Sequence, residues 1–475
     1  MRSEQRRLRE IARREKQKAK PKFHGYLAYL VFLISLVYMT DEIASQIGTL
    51  MKTEIANDLM ARFGERSVGA LDIVAFIAIP FQALSIFYKP LSDRFGRRLF
   101  LVLNTLGMSA GMLLIAVTDS LAPYVAGAVI IQFFVPHDMQ VVYIMESAPP
   151  RHRAKLYSTI KCVATLGVML VPLLRRTLMQ TASQWHAVYL VPAVVGLVAS
   201  FAALLFAREP DAFLDARLAA LRAAPAAKEK AAKGKAPRSG FFAGLVFALR
   251  HKQLRWVFIA TALCNFGVIL TMHYQVVLSY GYASHMVGGG LYASLSEALE
   301  AASVGPVTTA LFLFPVGSAL AQLLVGYAAD AWGRKRSALL MTALVLASFV
   351  GFTLGANFAW PPALVGMLCG MAVGGFWGAS DLDILLAGES APTALRASVL
   401  SAQFAAIGVG YILAYGVGLP LITRFGNASV PFVTLGLAVP GMAASLAALA
   451  AKVHETRGVN LDTVTGCEWD PPARQ

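Results

Sequence analysis

The stretch KPLSDRFGRR, residues 89–98, separates two long apolar runs, and a related stretch, GYAADAWGRKR, occupies residues 326–336. Each copy has an Asp, a Gly three residues later, and basic residues directly after that Gly. The corresponding positions, 237 residues apart, are Asp93 with Asp330, Gly96 with Gly333, and Arg97 with Arg334. A motif that returns at a fixed interval, beside apolar runs both times, predicts a chain of two related halves.

A second motif repeats at nearly the same interval. ESAPPRHRA begins at Glu146 and ESAPTALRA begins at Glu389, 243 residues later, and the final arginines of the motif are Arg153 and Arg396. Both copies follow a long apolar run. Two separate repeats with similar offsets strengthen the prediction of two homologous halves.

The composition is that of an integral membrane protein. Of the 475 residues, 57% are hydrophobic and only 15% are charged, with a mean hydropathy of +0.60. The net charge of +15 lies in tails and short loops beside apolar runs, which is the pattern of membrane topology rather than of a nucleic-acid-binding face. Three of the four cysteines lie in apolar runs, so no disulfide framework is predicted.

No enzyme signature occurs in the sequence. It contains no G-x-x-x-x-G-K-[ST], no H-E-x-x-H and no Cys/His spacing typical of a metal site. We therefore predict that the protein is not an enzyme, that ATP does not drive it, and that it holds no cofactor and no metal.

The fold class predicted is an all-α integral membrane protein with twelve transmembrane helices in two pseudo-symmetric six-helix bundles. Twelve runs are long enough to cross about 30 Å of hydrocarbon. The predicted spans are residues 24–48, 68–88, 98–118, 121–145, 154–178, 186–207, 254–279, 304–328, 336–357, 361–387, 397–419 and 430–452.

Most Lys and Arg residues fall on one side of these spans, so both termini are expected in the cytosol, with the protein in the cell (inner or plasma) membrane. The external segments are short except for residues 52–67 and 281–303; the second is either a lid or an interfacial helix. The predicted division is a basic cytosolic tail (1–22) that contacts anionic lipid, a first bundle (23–207), a cytosolic linker (208–253), a second bundle (254–452) and a C-terminal tail (453–475).

The repeated loop resembles the G-x-x-x-D-R-x-G-R-R signature of the major facilitator superfamily. Two segments, REP at 208–210 and HETRGVNLDTV at 454–464, are similar to segments that follow the sixth and twelfth helices in its sugar and organic-ion branches. The resemblance implies alternating access, with the substrate site between the bundles. It also implies that the repeated loops close the cytosolic side.

On this resemblance we expect two cytosolic gate clusters. The alternative is that these charges only anchor loops and set topology. The expected gate residues are Asp93, Arg97, Glu146 and Arg153 in the first half, and Asp330, Arg334, Glu389 and Arg396 in the second.

Ionisable residues inside the spans are expensive and are therefore candidates for function. Asp138 and Asp381 are equivalent under the 243-residue shift, and Lys161 lies at the depth expected for a buried ion pair with Asp138. Phe404 takes the place of Lys161 in the second half, so Asp381 and the neighbouring Asp383 are the preferred sites for a proton or a cationic solute, and Asp138 with Lys161 the preferred structural pair.

Two further groups remain open. Asp41 and Glu42 lie near the predicted outer end of the first span, at a depth similar to that of His273. These residues either form an outer vestibule that binds cations or protons, or Asp41 and Glu42 are simply exposed to water at the mouth. His273 and His137 are each either a packed, hydrogen-bonded histidine or a proton relay, and His137 adjoins Asp138.

The function predicted is secondary active transport of a small polar organic solute, coupled to protons as a symporter. A drug or metabolite efflux antiporter, a passive uniporter and a non-transporting solute receptor remain alternatives. The expected partners are the small-molecule substrate, protons and the lipid bilayer, with no nucleic acid, and we expect a monomer.

Overall fold

The structure is a computed structural model that describes residues 2–21, 24–77, 80–81, 88, 91–92, 95–135, 139–147, 153–211, 213–215, 217–219, 221–222, 241–391 and 396–456. Within these ranges nearly every residue is helical and no strand occurs. Helices are what long apolar segments require in lipid, because each helix satisfies its own backbone hydrogen bonds.

The first part of the chain begins with a charged helix, and the first apolar helix follows it. In order they are α1 (Arg2–Ala19), α2 (Tyr26–Leu50), α3 (Lys52–Leu59), α4 (Ser67–Phe76), α5 (Arg97–Ala116), α6 (Leu121–Phe134), α7 (Met139–Ser147), α8 (Arg153–Gly167), α9 (Leu170–Leu178) and α10 (His186–Phe206).

The helices of the second part are mostly longer. In order they are α11 (Phe241–Arg250), α12 (Lys252–Cys264), α13 (Val268–Thr271), α14 (Tyr274–Gly288), α15 (Leu295–Ala302), α16 (Thr308–Trp332), α17 (Arg334–Asn357), α18 (Pro362–Glu389), α19 (Arg396–Phe425) and α20 (Val430–Lys452).

Nine helical segments of the described residues are long and apolar enough to cross a membrane. They coincide with nine of the predicted spans. The other three predicted spans, 68–88, 121–145 and 154–178, contain shorter helices, namely α4, α6 with α7, and α8 with α9.

The chain forms two compact units. The first comprises residues 1–48 and 73–237, and the second comprises residues 49–72 and 238–475. This grouping differs from the predicted division at residues 49–72. The prediction places them in the first bundle, whereas they pack within the second unit. The domain boundaries drawn from the sequence stay a prediction.

Two segments predicted as external loops are largely helical. Residues 52–59 form α3, and 61–66 continue as a 3-10 turn, with Lys52 through Ala56 all buried. α14 continues to Gly288, beyond the predicted end of its span at 279, and Gly281 packs closely against Ala356. Within 281–303 the short helix α15 occupies Leu295–Ala302, part of the stretch expected to form either a lid or an interfacial helix, and the choice between these two stays a prediction.

Close packing in the second unit rests on three glycines of α18 spaced four residues apart. A Cβ on Gly370 would lie 1.9 Å from the carbonyl oxygen of Phe314 in α16, and Gly366 and Gly374 approach the same helix equally closely. Small residues at this spacing let two helix backbones touch, which is a main source of association in membranes. This contact fixes the position of α18, which carries Asp381 and Asp383.

We expect Gly370→Ala to destabilise the protein by about 1–3 kcal/mol, because the added methyl group forces α16 and α18 apart. The measurement is the free energy of unfolding in detergent. The matched control is Gly408→Ala in α19, where a Cβ meets no atom within 4 Å. Equal effects of the two substitutions would contradict the proposed role of this contact.

Candidate functional site

Arg97 and Glu146 form a charged cluster in the first unit. Arg97 Nη2 lies 2.9 Å from Glu146 Oε1, and Nε lies 3.1 Å from each carboxylate oxygen. Arg97 Nη1 also donates to the Ser92 hydroxyl at 2.6 Å. We call these three residues the first latch cluster; both side chains of the ion pair are mostly buried, at 13% and 23% exposure.

Glu209 caps the helix on which Arg97 lies. Its carboxylate accepts hydrogen bonds from the backbone N–H of Arg97 at 2.8 Å and of Arg98 at 3.3 Å. Gly96 precedes α5 with a φ of 128°, which side chains rarely adopt, and a Cβ there would lie 2.2 Å from the Glu209 carboxylate. Burial raises the pKa of Glu209, while the two N–H groups and the charge of Arg14 act in the opposite direction.

The second unit repeats this arrangement, and we call it the second latch cluster. Arg334 Nε lies 3.2 Å from Glu389 Oε1, and Arg334 Nη1 donates to the carbonyl oxygen of Ala329 at 2.6 Å. Thr456 donates its hydroxyl hydrogen to the other oxygen of Glu389. A residue of the chain's final described segment thus joins the ion pair of the second latch cluster.

Glu455 caps α17 as Glu209 caps α5. Its carboxylate accepts from the backbone N–H of Arg334 at 2.7 Å and of Lys335 at 3.2 Å. Gly333 has a φ of 100°, and a Cβ there would lie 2.5 Å from this carboxylate. A carboxylate at a helix N-terminus satisfies free N–H groups and faces the positive end of the helix dipole.

Glu455→Gln is expected to lower the free energy of unfolding by about 0.5–2 kcal/mol, because the neutral amide keeps less of the capping interaction. Thermal unfolding in detergent measures this. Glu300→Gln on exposed α15 removes the same charge and serves as the control. A Glu455→Gln protein as stable as the control would show that this cap contributes nothing.

Asp383 lies in a buried polar cluster of the second unit. Its side chain is 1% exposed, and Thr261 of α12 donates a hydrogen bond to Asp383 Oδ2 at 3.3 Å. Gln403 of α19 donates through Nε2 to the Thr261 hydroxyl at 3.0 Å. Among the described side chains, no Lys, Arg or His forms an ion pair with Asp383. We call Asp383, Thr261, Gln403 and Asn265 the polar cluster.

The directions of these hydrogen bonds leave two acceptors unused. Thr261 donates to the Asp383 carboxylate, so its oxygen accepts from Gln403 Nε2, which orients the Gln403 amide. Asn265 donates through Nδ2 to the carbonyl oxygen of Thr261 at 2.7 Å. Within the described part of the chain, Gln403 Oε1 and Asn265 Oδ1 are buried and accept no hydrogen bond.

The helix is interrupted at this cluster. The sequence predicts one continuous span over 254–279, whereas the structure has a 3-10 turn at Asn265–Gly267 between α12 and α13, and a further break at residues 272–273. Interrupted helices in membrane proteins expose backbone polar groups where they line a site.

His273 contacts a carboxylate that the sequence did not indicate. Its Nε2 lies 2.7 Å from Asp72 Oδ2, and Lys52 Nζ lies 2.6 Å from Asp72 Oδ1. His273 Nδ1 lies 2.7 Å from the carbonyl oxygen of Ile269, which only accepts, so Nδ1 carries hydrogen. The trio of Lys52, Asp72 and His273 is fully enclosed, since none exceeds 7% exposure.

A second buried carboxylate, Glu54, lies on the same short helix as Lys52. Gln275 donates through Nε2 to Glu54 Oε2 at 3.3 Å, and Ser303 donates to Glu54 Oε1. Gln275 Oε1 in turn accepts from the backbone N–H and the hydroxyl of Thr53. These bonds attach α3 firmly to α14 within the second unit.

Asp41 and Glu42 lie on α2 in the first unit. Gln140 of α7 donates through Nε2 to Asp41 Oδ2 at 2.8 Å, and both side chains are buried. Glu42 is half-buried and accepts from Gln46 at 3.5 Å. The vestibule grouping of Asp41 and Glu42 with His273, inferred from equal depth, stays a prediction.

Several predicted site residues lie outside the described part. Asp93, His137 and Asp138 are not described, and neither are the side chains of Arg153, Asp330 and Arg396. The predicted pairing of Lys161 with Asp138 therefore stays a prediction; Lys161 itself is half-buried. Asp381 is exposed, whereas Asp383, two residues on, is buried.

Sequence reasoning missed six residues that now complete these groups. Glu209 and Glu455 were each quoted within a family-like segment, but their capping role needed the position of the helix start. Lys52 and Glu54 fell in a predicted external segment, and Asp72 and Gln275 fell inside predicted spans near their ends. The signal that could have found them was the presence of charged and amide side chains close to, or inside, an apolar run. Among the described residues, no group of three or more His, Cys, Asp or Glu side chains is placed to hold a metal ion.

Two family models match the chain. The one described as "Major Facilitator Superfamily" matches residues 27–305, and the one described as "Sugar (and other) transporter" matches residues 292–451. Together they extend from the first span to the last. No curated protein sequence matches the chain.

Solved structures of transporters share the fold. The xylose transporter XylE from E. coli, in an inward-open conformation, is 16% identical, with a TM-score of 0.58 over 92% of this chain and 99% of that chain. A D-xylose–proton symporter is 18% identical, with a TM-score of 0.59 over 91% and 99%. The nucleoside transporter NupG is 14% identical, with a TM-score of 0.59 over 88% and 99%.

Proposed function

Because the chain belongs to the major facilitator superfamily, a family of twelve-helix transporters and not of enzymes, we propose that it moves a small polar organic solute by proton-coupled symport. The observation that carries the coupling is Asp383, a buried carboxylate that receives one neutral hydrogen bond and no ion pair from the described residues. The family and the multi-pass architecture agree with the prediction from sequence.

A buried, unpaired carboxylate favours the binding of a proton, because burial penalises its charged form. Asp383 differs in this from Asp72, whose charge is balanced by Lys52 and His273. Asp381 is exposed two residues earlier on the same helix and gives a natural comparison. We assign Asp383 as the proton site, and we assign Asp72 a structural role.

Protonation of Asp383 on Oδ2 would change the hydrogen bonds of the polar cluster. The carboxyl then donates to the Thr261 hydroxyl, and the hydroxyl hydrogen is free to donate to Gln403, where the hydroxyl oxygen had accepted from it. In that arrangement the Gln403 amide turns its oxygen towards Thr261 and its N–H groups to where the oxygen had pointed. Proton binding and solute binding are thereby linked through one threonine.

The unused acceptors indicate the chemistry of the solute. Gln403 Oε1 and Asn265 Oδ1 are buried oxygens without a hydrogen bond among the described residues, and a solute that donates to them removes the free-energy cost of leaving them unsatisfied. The hydroxyl groups of a polyol or the N–H groups of an ammonium can be these donors. The relatives described as transporting xylose and nucleosides carry hydroxyl-rich solutes, which favours the polyol.

The two latch clusters supply the gates of this proposal. Each holds an ion pair and a capped helix start within its own unit. We place them on the cytosolic side of the plasma membrane, with both termini inside. If Asp93→Asn changes neither transport nor the balance of inward and outward states, the gate role of the first loop is wrong.

Three alternatives are distinguished by experiment. A passive uniporter equilibrates its solute without moving protons, a drug or metabolite antiporter exports it against an inward proton gradient, and a receptor binds it without flux. The first step is a thermal-stability screen of the purified protein across metabolite classes, with polyols, nucleosides and amines as separate arms. Flux of the stabilising solute in proteoliposomes, with and without a pH gradient, then separates the four functions.

A further inference from the structure

The N-terminal helix α1 is bound to the protein by one face. Glu10 pairs with Arg217 at 2.9 Å, Glu15 pairs with Arg222 at 2.7 Å, and Lys18 pairs with Asp215. All three partners lie in the segment that follows α10. The sequence predicted only a basic tail here, so this docking is a finding of the structure.

The same face reaches the first latch cluster. Arg14 is buried, at 4% exposure, and donates through Nη2 to the carbonyl oxygen of Phe95 at 3.2 Å. Its guanidinium lies 5.4 Å from the centre of the Phe213 ring, and the guanidinium of Arg97 lies 5.2 Å from the same ring. Docked α1 therefore contacts the residue just before Gly96 and shares an aromatic ring with the latch arginine.

The opposite face of α1 is a continuous basic stripe. Arg9, Arg13 and Lys16 are exposed and follow one another at intervals of four and three residues, which places them along one side of the helix, and the exposed Lys20 directly follows the helix end at Ala19. Arg2 and Arg6 continue this spacing in the sequence. The stripe contains no acid, because Glu10 and Glu15 belong to the docked face.

The stripe lies close to the bilayer. α1 ends at Ala19 and the first membrane-spanning helix begins at Tyr26, so a fully extended connection reaches at most about 25 Å. Charges on α1 are therefore held near the headgroups of the lipid that surrounds α2. Anionic lipids attract basic residues there, and the attraction fades within about 10 Å at physiological salt.

We propose that the basic stripe of α1 binds anionic lipid headgroups, and that this binding keeps α1 docked and so clamps the first latch cluster. The surface charge of the bilayer thus acts as a regulatory ligand of the latch, a role separate from solute and proton binding. The partner is the anionic bilayer surface, because the chain holds the stripe beside it.

Lipid binding favours the docked state for two reasons. In that state Arg217 and Arg222 neutralise Glu10 and Glu15, and the third acid of α1, Glu4, lies 3.8 Å from Arg7, so the stripe that faces the membrane is positively charged. An undocked α1 exposes both acids and must also form its helix unaided, which short isolated helices do poorly. Two of the three ion pairs are largely exposed, with Arg222 and Glu15 at 63% and 49% and Lys18 and Asp215 at 46% and 56%, and exposed pairs hold weakly. We therefore expect the contact of the basic stripe with the membrane to decide whether α1 stays docked.

Hydrogen–deuterium exchange of the full-length protein in nanodiscs tests this proposal. We expect the amides of α1 and of the start of α5 to exchange at least about tenfold more slowly when phosphatidylglycerol replaces part of the phosphatidylcholine, and the difference to shrink at high salt. Equal exchange in the two lipids overturns the proposal.

Three variants locate the effect. The triple variant Arg9→Gln, Arg13→Gln and Lys16→Gln should lose the lipid dependence, while Arg62→Gln, Arg66→Gln and Arg424→Gln, which removes three other exposed charges, should keep it. Arg14→Gln should keep lipid protection in α1 but lose it at the start of α5. A triple variant that still responds to phosphatidylglycerol overturns the assignment of the stripe, and protection by soluble polyphosphate in pure phosphatidylcholine overturns the assignment to lipid.

Discussion

Asp72→Asn is expected to destabilise the protein by about 3–5 kcal/mol, one of the largest effects of any single substitution in the chain. The substitution removes the only carboxylate shared by Lys52 and His273 among the described residues, and leaves a buried ammonium without a counter-charge. Lys52→Met should cost less, because His273 still pairs with Asp72. The measurement is the free energy of unfolding of the purified protein.

The control is Asp58→Asn on the same short helix, where the side chain is exposed and the loss of charge should matter little. The double variant Lys52→Met with Asp72→Asn should recover part of the stability lost in Asp72→Asn, since it removes the orphaned ammonium. A greater loss in Lys52→Met than in Asp72→Asn would show that the trio is held together differently.

Asp383→Asn is expected to abolish accumulation of solute driven by a pH gradient, while exchange of solute at equilibrium continues. Asn keeps the shape of the side chain and accepts from Thr261, but it cannot bind and release a proton. The measurement compares gradient-driven uptake with equilibrium exchange in proteoliposomes. Thr261→Val, which keeps the acid but breaks its link to Gln403, should retain proton movement and weaken its coupling to solute.

Asp381→Asn is the matched control for the proton site. It changes the same group two residues away on the same helix, but at an exposed position. We expect its pH-driven uptake to remain close to that of the unchanged protein. Loss of coupling in Asp381→Asn with coupling kept in Asp383→Asn would move the proton site to Asp381.

The fold was predictable from sequence because its signals are periodic and repeated. Apolar runs of about 20 residues mark spans, and the copies of the D-x-x-G-R motif mark two halves. The same repeats grouped Arg97 with Glu146 and Arg334 with Glu389 in the two expected gate clusters, but the direct pairing of each arginine with its glutamate needed the structure.

The partners of buried charges were not predictable in this way. Helical rise gives the depth of His273 but not the direction in which its ring points, so its pairing with Asp72 needed the three-dimensional arrangement. Likewise, the sequence placed Asp381 and Asp383 together as equals, whereas helix rotation exposes one and buries the other. The docking of α1 was hidden for a further reason, since a basic tail and a docked helix have the same composition.

The most direct test of proton-coupled transport through Asp383 is the movement of protons with the solute that the stability screen identifies. Proteoliposomes that contain a pH-sensitive dye receive that solute on one side, with no pH gradient imposed. The proposal predicts that solute entry acidifies the interior of the proteoliposomes, and that Asp383→Asn removes this signal without stopping solute exchange. Solute entry with no proton movement in the unchanged protein, or an unaltered proton signal in Asp383→Asn, would contradict it.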